Sequence, residues 1–275
     1  MLNKDRVQRI FERTDVDQLL VCEPMAVYYL LGKMFHPGER FLGVLLRRDK
    51  EPVLYVNALF RFEEDLQIRK VYFADTDDIV ELLSKEIDST KVLGVDKTLT
   101  ANFLLPMMER EVASGFVNGS LAVDLTRAVK DPKEIELMIA SSHINDLAMA
   151  EFKKLIHEGV TEIEVANQML DIYKKLGAEG YSFEPIVAFG DNAADPHHGP
   201  DSTVLKEGDI VLFDVGCTYH GYCSDMTRTF FYKKYPDAEA ERVYNLVRAA
   251  NEESTKLCGP GTVISTIDKK ARDII

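Results

Sequence analysis

Short apolar runs punctuate residues 1–126: Leu19–Cys22, Phe41–Leu46, Val53–Val56, Val71–Phe73 and Val92–Val95. Runs of this length, rich in β-branched and aromatic side chains, predict strands. Between them, Ile79–Ile87 and Ala101–Val112 carry the wider apolar spacing of helices. Strands alternating with helices predict an α/β domain with helices packed on a mixed sheet.

The pattern changes at Asp131-Pro132-Lys133-Glu134. Asp as N-cap, Pro at the first helical position and Glu three residues after the cap form a strong helix start. That helix is predicted to run to about Glu158, with Gly159 past its end. Thr161-Glu162-Ile163-Glu164 opens a second helix that stops at Gly177. Strands then follow at Pro185–Phe189, Ile210–Thr218 and Met226–Tyr232, and a helix at Asp237–Leu257 precedes Gly259-Pro260-Gly261. The second half therefore predicts an α+β unit, with helices grouped around an antiparallel sheet.

Composition narrows the class. The chain has 275 residues, 46% hydrophobic and 29% charged, which is a globular balance long enough for two domains. A net charge of −13 argues against nucleic acid and against an anionic membrane surface. Met1-Leu2-Asn3-Lys4-Asp5-Arg6 lacks the apolar core of a signal peptide, and no apolar run has the length of a bilayer span. Four cysteines (Cys22, Cys217, Cys223, Cys258) without CxxC spacing predict reduced thiols and a cytoplasmic protein.

The candidate chemistry lies in Asp209–Phe230, where two β-rich runs flank Tyr219-His220-Gly221 as a hairpin. A turn at Tyr219-His220 would put Asp214 directly opposite Asp225; a turn at His220-Gly221 would make them diagonal. Either register leaves both carboxylates on one face, because strand side chains alternate with a period of two. Asp214 follows the apolar run Ile210–Phe213, which suggests burial. Facing like charges need a counter-charge. A divalent metal (Mn, Co, Mg or Zn) would supply it, as would a shared proton or a nearby cation such as Arg228. Cys217 and Cys223 fall on opposite faces, so neither a bridge between them nor a joint ligand role is expected.

Upstream, Ser182–Gly190 feeds a loop, Asp191–Pro200, that presents His197 and His198. Histidine can donate a proton or hydrogen-bond a developing oxyanion near neutral pH. Adjacent residues of extended backbone point apart, so one of the two at most faces a given site.

These segments together resemble a family. Arg127–Glu136 resembles the entry to the catalytic domain of the pita-bread metallopeptidases: aminopeptidase P, prolidase (Xaa-Pro dipeptidase), methionine aminopeptidase and creatinase relatives. Ser182–His197 resembles their histidine loop. Asp214-Val215-Gly216 with Asp225-Met226-Thr227-Arg228-Thr229 resembles their first two metal ligands. The resemblance implies a creatinase-like N-terminal α/β domain at 1–126 and a pita-bread α+β catalytic domain, C-terminally incomplete, at 127–275. It implies two divalent ions (Mn, Co or Zn) shared by two aspartates, a histidine and two glutamates, with water as the attacking nucleophile. Asp214 and Asp225 carry over as ligands and His197 as the catalytic loop histidine. His198 is the lesser candidate for the substrate. The N-terminal domain implies a proline-containing peptide as substrate. His36-Pro37-Gly38-Glu39-Arg40 resembles a loop that prolidase-type dimers place over a neighbouring active site, so His36 and Arg40 join the substrate-binding candidates of a homodimer.

The match departs from the family downstream. No histidine follows His220, and the chain stops at Ala271–Ile275 inside an amphipathic pattern. Glu239, Glu241, Glu252 and Glu253 sit on an outer helix and are poor substitutes for the missing ligands. The expectation is a truncated product or fragment of a longer peptidase, binding metal weakly and cleaving little by itself. Two other readings stand beside it. One is a pseudo-peptidase serving as a binding or assembly module, which the missing ligands favour. The other is metal-free creatinase-type C–N hydrolysis, against which the retention of both aspartates counts.

Overall fold

The computed structural model describes residues 1–275, which fold as two compact units, Met1–Lys130 and Asp131–Ile275. In the first unit the elements are α1 (Lys4–Phe11), β1 (Gln18–Val21), α2 (Pro24–Leu31), β2 (Leu42–Arg47), β3 (Lys50–Asn57), β4 (Arg69–Phe73), α3 (Ile79–Ser84), β5 (Val92–Val95), α4 (Ala101–Glu109), β6 (Gly115–Asn118) and α5 (Ser120–Ala128). The sheet order is β4-β3-β2-β1-β5-β6. β2 is antiparallel to both β1 and β3, while β1–β5, β3–β4 and β5–β6 are parallel, so the sheet is mixed as expected.

Both faces of that sheet are covered. Leu19, Val44, Leu46 and Leu54 pack into one core, and Leu20, Leu45, Val53 and Tyr55 into another. Strands buried on both sides read as continuous apolar runs, which is why they stood out in the sequence. α2 did not, although Glu23 caps it, Pro24 opens it and Gly32 closes it in the left-handed region. Its residues are nearly all apolar, and none is charged, so no polar face marks a helical period.

In the second unit α6 (Pro132–Lys154) and α7 (Glu162–Lys175) both open with the reciprocal capping boxes expected of Asp131/Glu134 and Thr161/Glu164. α6 stops before Glu158, because the chain turns to hydrogen-bond Val160 O to the Leu205 N–H at 2.9 Å. There follow β7 (Gly180–Tyr181), β8 (Ile186–Phe189), a 3-10 turn at Gly190–Ala194, β9 (Ile210–Val215), β10 (Cys217–Tyr219), β11 (Tyr222–Cys223), β12 (Met226–Phe231), α8 (Ala238–Thr255) and α9 (Ile264–Ile274). Two antiparallel sheets result, β12-β9-β8 and β11-β10-β7.

The single strand expected over Ile210–Thr218 is broken at Gly216. A Cβ there would lie 2.1 Å from Ser182 Oγ and from Ser224 O, so three backbone segments meet where only glycine fits. Before the break, β9 alternates: Val211, Phe213 and Val215 are buried, while Ile210, Leu212 and Asp214 are half-buried on the other face. Phe213 packs edge-on to Phe152, with ring centroids 6.4 Å apart, and Phe152 packs on Tyr173 at 5.1 Å. One sheet face is thus the floor of the helix-covered core, and Asp214 sits on the opposite face. All four cysteines are free, with Cys217 buried and Cys223 exposed, and no helix is long and apolar enough to cross a membrane.

Candidate functional site

Register decides what the hairpin can do. His220 (φ +47°) and Gly221 (φ +75°) both occupy the left-handed region, the conformation of a two-residue type I′ turn. Tyr219 pairs with Tyr222, Thr218 with Cys223 and Asp214 with Thr227, all in one register. Asp225 therefore falls opposite Gly216 and diagonal to Asp214, on the same face.

The two carboxylates differ in surroundings. Asp214 is half-buried and accepts one hydrogen bond, from Thr227 Oγ1 at 3.0 Å. Asp225 is exposed, and its carboxylate has no hydrogen bond or ion pair. Arg228 does not neutralise them: its guanidinium donates to Thr227 O at 2.9 Å and lies 3.7 Å from Asp146. The burial expected of Asp214 is only partial, because the apolar run before it alternates rather than burying both faces.

α6 braces the broken hairpin from the core side. Its Asn145 donates to Val215 O at 3.1 Å, Ser141 donates to Cys217 O at 3.1 Å, and Glu134 accepts from the Tyr222 hydroxyl at 2.8 Å. Val215 and Cys217 flank the interruption at Gly216, so these side chains serve backbone carbonyls at the edge of the gap. Tyr173 closes the network by donating to Asn145 Oδ1 at 2.6 Å, and burial drives its phenol far above the ordinary range, with Cys217 and Tyr181 adding to the effect. In the sequence Ser141 and Asn145 read as solvated positions of a long helix, and Glu134 reads only as the glutamate that closes the helix cap.

The histidine loop is organised separately. His197 is exposed and its ring has no hydrogen-bond partner, while its backbone N–H donates to Asp195 Oδ1 at 2.9 Å. His198 points inward, with Nε2 2.6 Å from Glu162 Oε2. Glu162 is fully buried and also accepts from Phe189 N–H at 2.7 Å, Asn192 Nδ2 at 3.0 Å and Asp201 N–H at 3.1 Å. In the Thr161–Glu164 cap it is Glu164 that closes the box, leaving Glu162 free to turn into the protein.

His36 and Arg40 belong to the first unit. His36 is exposed, and Arg40 is bidentate to Asp75 at 2.9–3.2 Å. That guanidinium, with Asn57 donating to the same acid, holds the Asp75 carboxyl below its usual range. A groove of about 1000 Å³ in the second unit is lined by Asp209, Thr227, Arg228, Tyr244 and Arg248 among others, and includes neither Asp214, Asp225 nor His197.

Residues 136–275 match the description "Metallopeptidase family M24", and residues 4–129 match "Creatinase/Prolidase N-terminal domain". The chain belongs to metallopeptidase family M24. A relative, an uncharacterized peptidase of Staphylococcus epidermidis, is 33% identical over 279 residues, covering 98% of this chain and 77% of the relative. Among solved structures, the prolidase from Pyrococcus horikoshii OT3 is similar with a TM-score of 0.87 and 27% identity, covering 98% of this chain and 77% of that one. The Xaa-Pro dipeptidase from Bacillus anthracis is similar with a TM-score of 0.88 and 26% identity, over 99% and 77%. The fold is therefore the creatinase-like N-terminal domain followed by the M24 pita-bread domain.

M24 metallopeptidases use divalent metals, and two clusters here can be tested for fit. Glu162, His198 and Asp201 place one potential ligand atom each within 4.8 Å of one another. N–H donors already engage both Glu162 oxygens, two on each, so that carboxylate has no oxygen left for a cation. Asp214 and Asp225 fit better: hard oxygen donors on one face, one of them wholly unpartnered.

Proposed function

We propose that the protein is a metal-dependent peptidase acting at Xaa-Pro bonds, as a dipeptidase or an aminopeptidase P-type enzyme. The observation that carries the reading is the diagonal placement of Asp214 and Asp225 on one sheet face, with no cation of the protein answering their charge. In this reading Asp214 and Asp225 hold divalent metal (Mn, Co or Zn). When bound, that metal supplies Lewis acidity and a nucleophile competent near neutral pH. Thr227 keeps Asp214 oriented through its hydroxyl. His197, exposed and with a ring free of partners, donates a hydrogen bond to the oxygen on which charge develops. The partly buried His198 ring, 2.6 Å from Glu162, supports the loop from behind.

The same reading takes the protein as a cytoplasmic homodimer. The resemblance of His36–Arg40 to a prolidase-type loop supports a contact between that loop and peptide held by a partner subunit. Arg40 would then exchange the Asp75 carboxylate for one on the peptide, a substitution its planar fork permits.

Two of the five ligands implied by the family resemblance lie in these 275 residues, so this chain alone is expected to bind metal weakly and turn over little. Mn-, Co- and Zn-loaded chain should be assayed on Xaa-Pro dipeptides with Xaa-Ala controls. Slow, proline-selective turnover lost in Asp214→Asn and Asp225→Asn is the expected result. Robust turnover contradicts the ligand argument, and turnover that survives both substitutions contradicts the site. The shortage of ligands favours one other reading, a binding module. Its signature would be saturable binding of proline-containing peptide, without cleavage, under every metal.

A further inference from the structure

We propose that the buried Glu162 carboxylate is a positioning residue: acting through His198, it holds the loop so that the adjacent His197 ring faces outward with both nitrogens unengaged. What His197 then does rests on the peptidase reading; where it is held rests on geometry alone.

Glu162 is 0% exposed at the first position of α7. A carboxylate withdrawn from water persists only with strong compensation. Here four N–H donors supply it, from Phe189 at the end of β8, Asn192 in the 3-10 turn, His198, and Asp201 at the loop's end. The helix N-terminus adds partial positive charge. Charge-assisted bonds of this kind are roughly twice as strong as neutral ones. One acid thus staples the loop at four points between residues 189 and 201, and Asn192 ties it once more by donating to Thr203 Oγ1 at 3.0 Å.

The bond to His198 also selects a proton position. Glu162 accepts, so His198 must carry hydrogen on Nε2, and this fixes the ring's orientation. With His198 drawn inward and the His197 N–H fastened to Asp195, the next ring in sequence is left pointing to solvent.

The test uses 15N-histidine labelling of the full chain, whose six histidines give few signals to assign. Wild-type His198 should show a protonated Nε2 at neutral pH. In Glu162→Gln one acceptor oxygen becomes an NH2 donor that faces N–H groups, so the His198 pattern should change and the His197 ring signals should shift or broaden. Metal-loaded Glu162→Gln should lose kcat on the order of 10-fold to 100-fold with little change in KM, the scale of a mispositioned catalytic group. In a His197→Ala background it should cost nothing further.

Should Glu162→Gln not fold, His198 variants decide. His198→Gln retains a donor for Glu162 and should keep the wild-type His197 signature, whereas His198→Ala should lose it. The proposal is overturned by an unprotonated His198 Nε2 in the wild type, by His197 signals indifferent to Glu162→Gln, or by His198→Gln and His198→Ala behaving alike. Absence of turnover in the wild type counts against the peptidase reading alone, because the resonance arm still decides this one.

Discussion

Asn145→Ala is the perturbation that most directly probes how the hairpin is braced. Asn145 is fully buried on α6 and bridges two groups, donating to Val215 O at 3.1 Å and accepting from the Tyr173 hydroxyl at 2.6 Å. Truncation leaves the buried Tyr173 phenol without an acceptor and removes the side-chain bond to Val215 O, whose carbonyl keeps only its ladder partner opposite, Met226. The orphaned phenol costs about 1–3 kcal/mol and the lost bond to Val215 O about 0.5–1.5 kcal/mol, so together they predict a loss of about 1.5–4.5 kcal/mol. Tyr173→Phe alone orphans only Asn145 Oδ1 and should cost about 1–3 kcal/mol. In the Tyr173→Phe background, Asn145→Ala should cost less than in the wild type, because no phenol is then left to strand and only the bond to Val215 O is lost. Urea unfolding followed by circular dichroism suits a chain with no tryptophan, and the transition of the second unit is the one to read. A cost below about 0.5 kcal/mol for Asn145→Ala, with the denaturant slope unchanged, would refute the bracing argument, since that is the scale of a bland surface change.

Two further outcomes follow from the same geometry. Gly216→Ala should destabilise by about 3 kcal/mol or more, because its Cβ would meet Ser224 O at 2.1 Å, whereas Gly180→Ala, with open space around its Cβ, should change stability by no more than about 0.5 kcal/mol; thermal melts compare them. Tyr55 is fully buried with its hydroxyl unpartnered, and burial, aided by Glu86, raises its phenol from 10.0 to about 12. The folded state therefore keeps the neutral form while the unfolded chain ionises, so this contribution is intact below pH 10 and lost as pH rises toward 12. Tyr55→Phe should be neutral or mildly stabilising at pH 7 and should lose about 1.4 kcal/mol less than wild type between pH 7 and pH 11, read as urea midpoints.

Much of the fold was legible because its signals were local. The apolar strands of the first sheet, the capping boxes at Asp131 and Thr161, and the parity of Asp214 and Asp225 each depend on a few neighbouring residues. The register was not legible, since the choice between a turn at Tyr219-His220 and one at His220-Gly221 depends on which residues adopt positive φ; His220 does so here beside Gly221. The break at Gly216 was hidden for a different reason: it is imposed by Ser182 and Ser224, which approach it only in the folded chain. Glu162 was hidden in plain view, because an acid in a helix's first turn reads as a cap or a solvated charge. Only the tertiary fold turns it onto His198 and the loop. α2 and β6 escaped for want of contrast, one apolar throughout and the other a short Gly115–Asn118 segment.

The central claim is that Asp214 and Asp225 act together as metal ligands, and Mn titration of the chain followed by electron paramagnetic resonance tests it most directly. The account predicts weak binding that Asp214→Asn and Asp225→Asn each reduce by about tenfold or more, equivalent to about 1.4 kcal/mol or more, while Glu162→Gln leaves it unchanged. Binding indifferent to both aspartate substitutions, or abolished by Glu162→Gln alone, would contradict it.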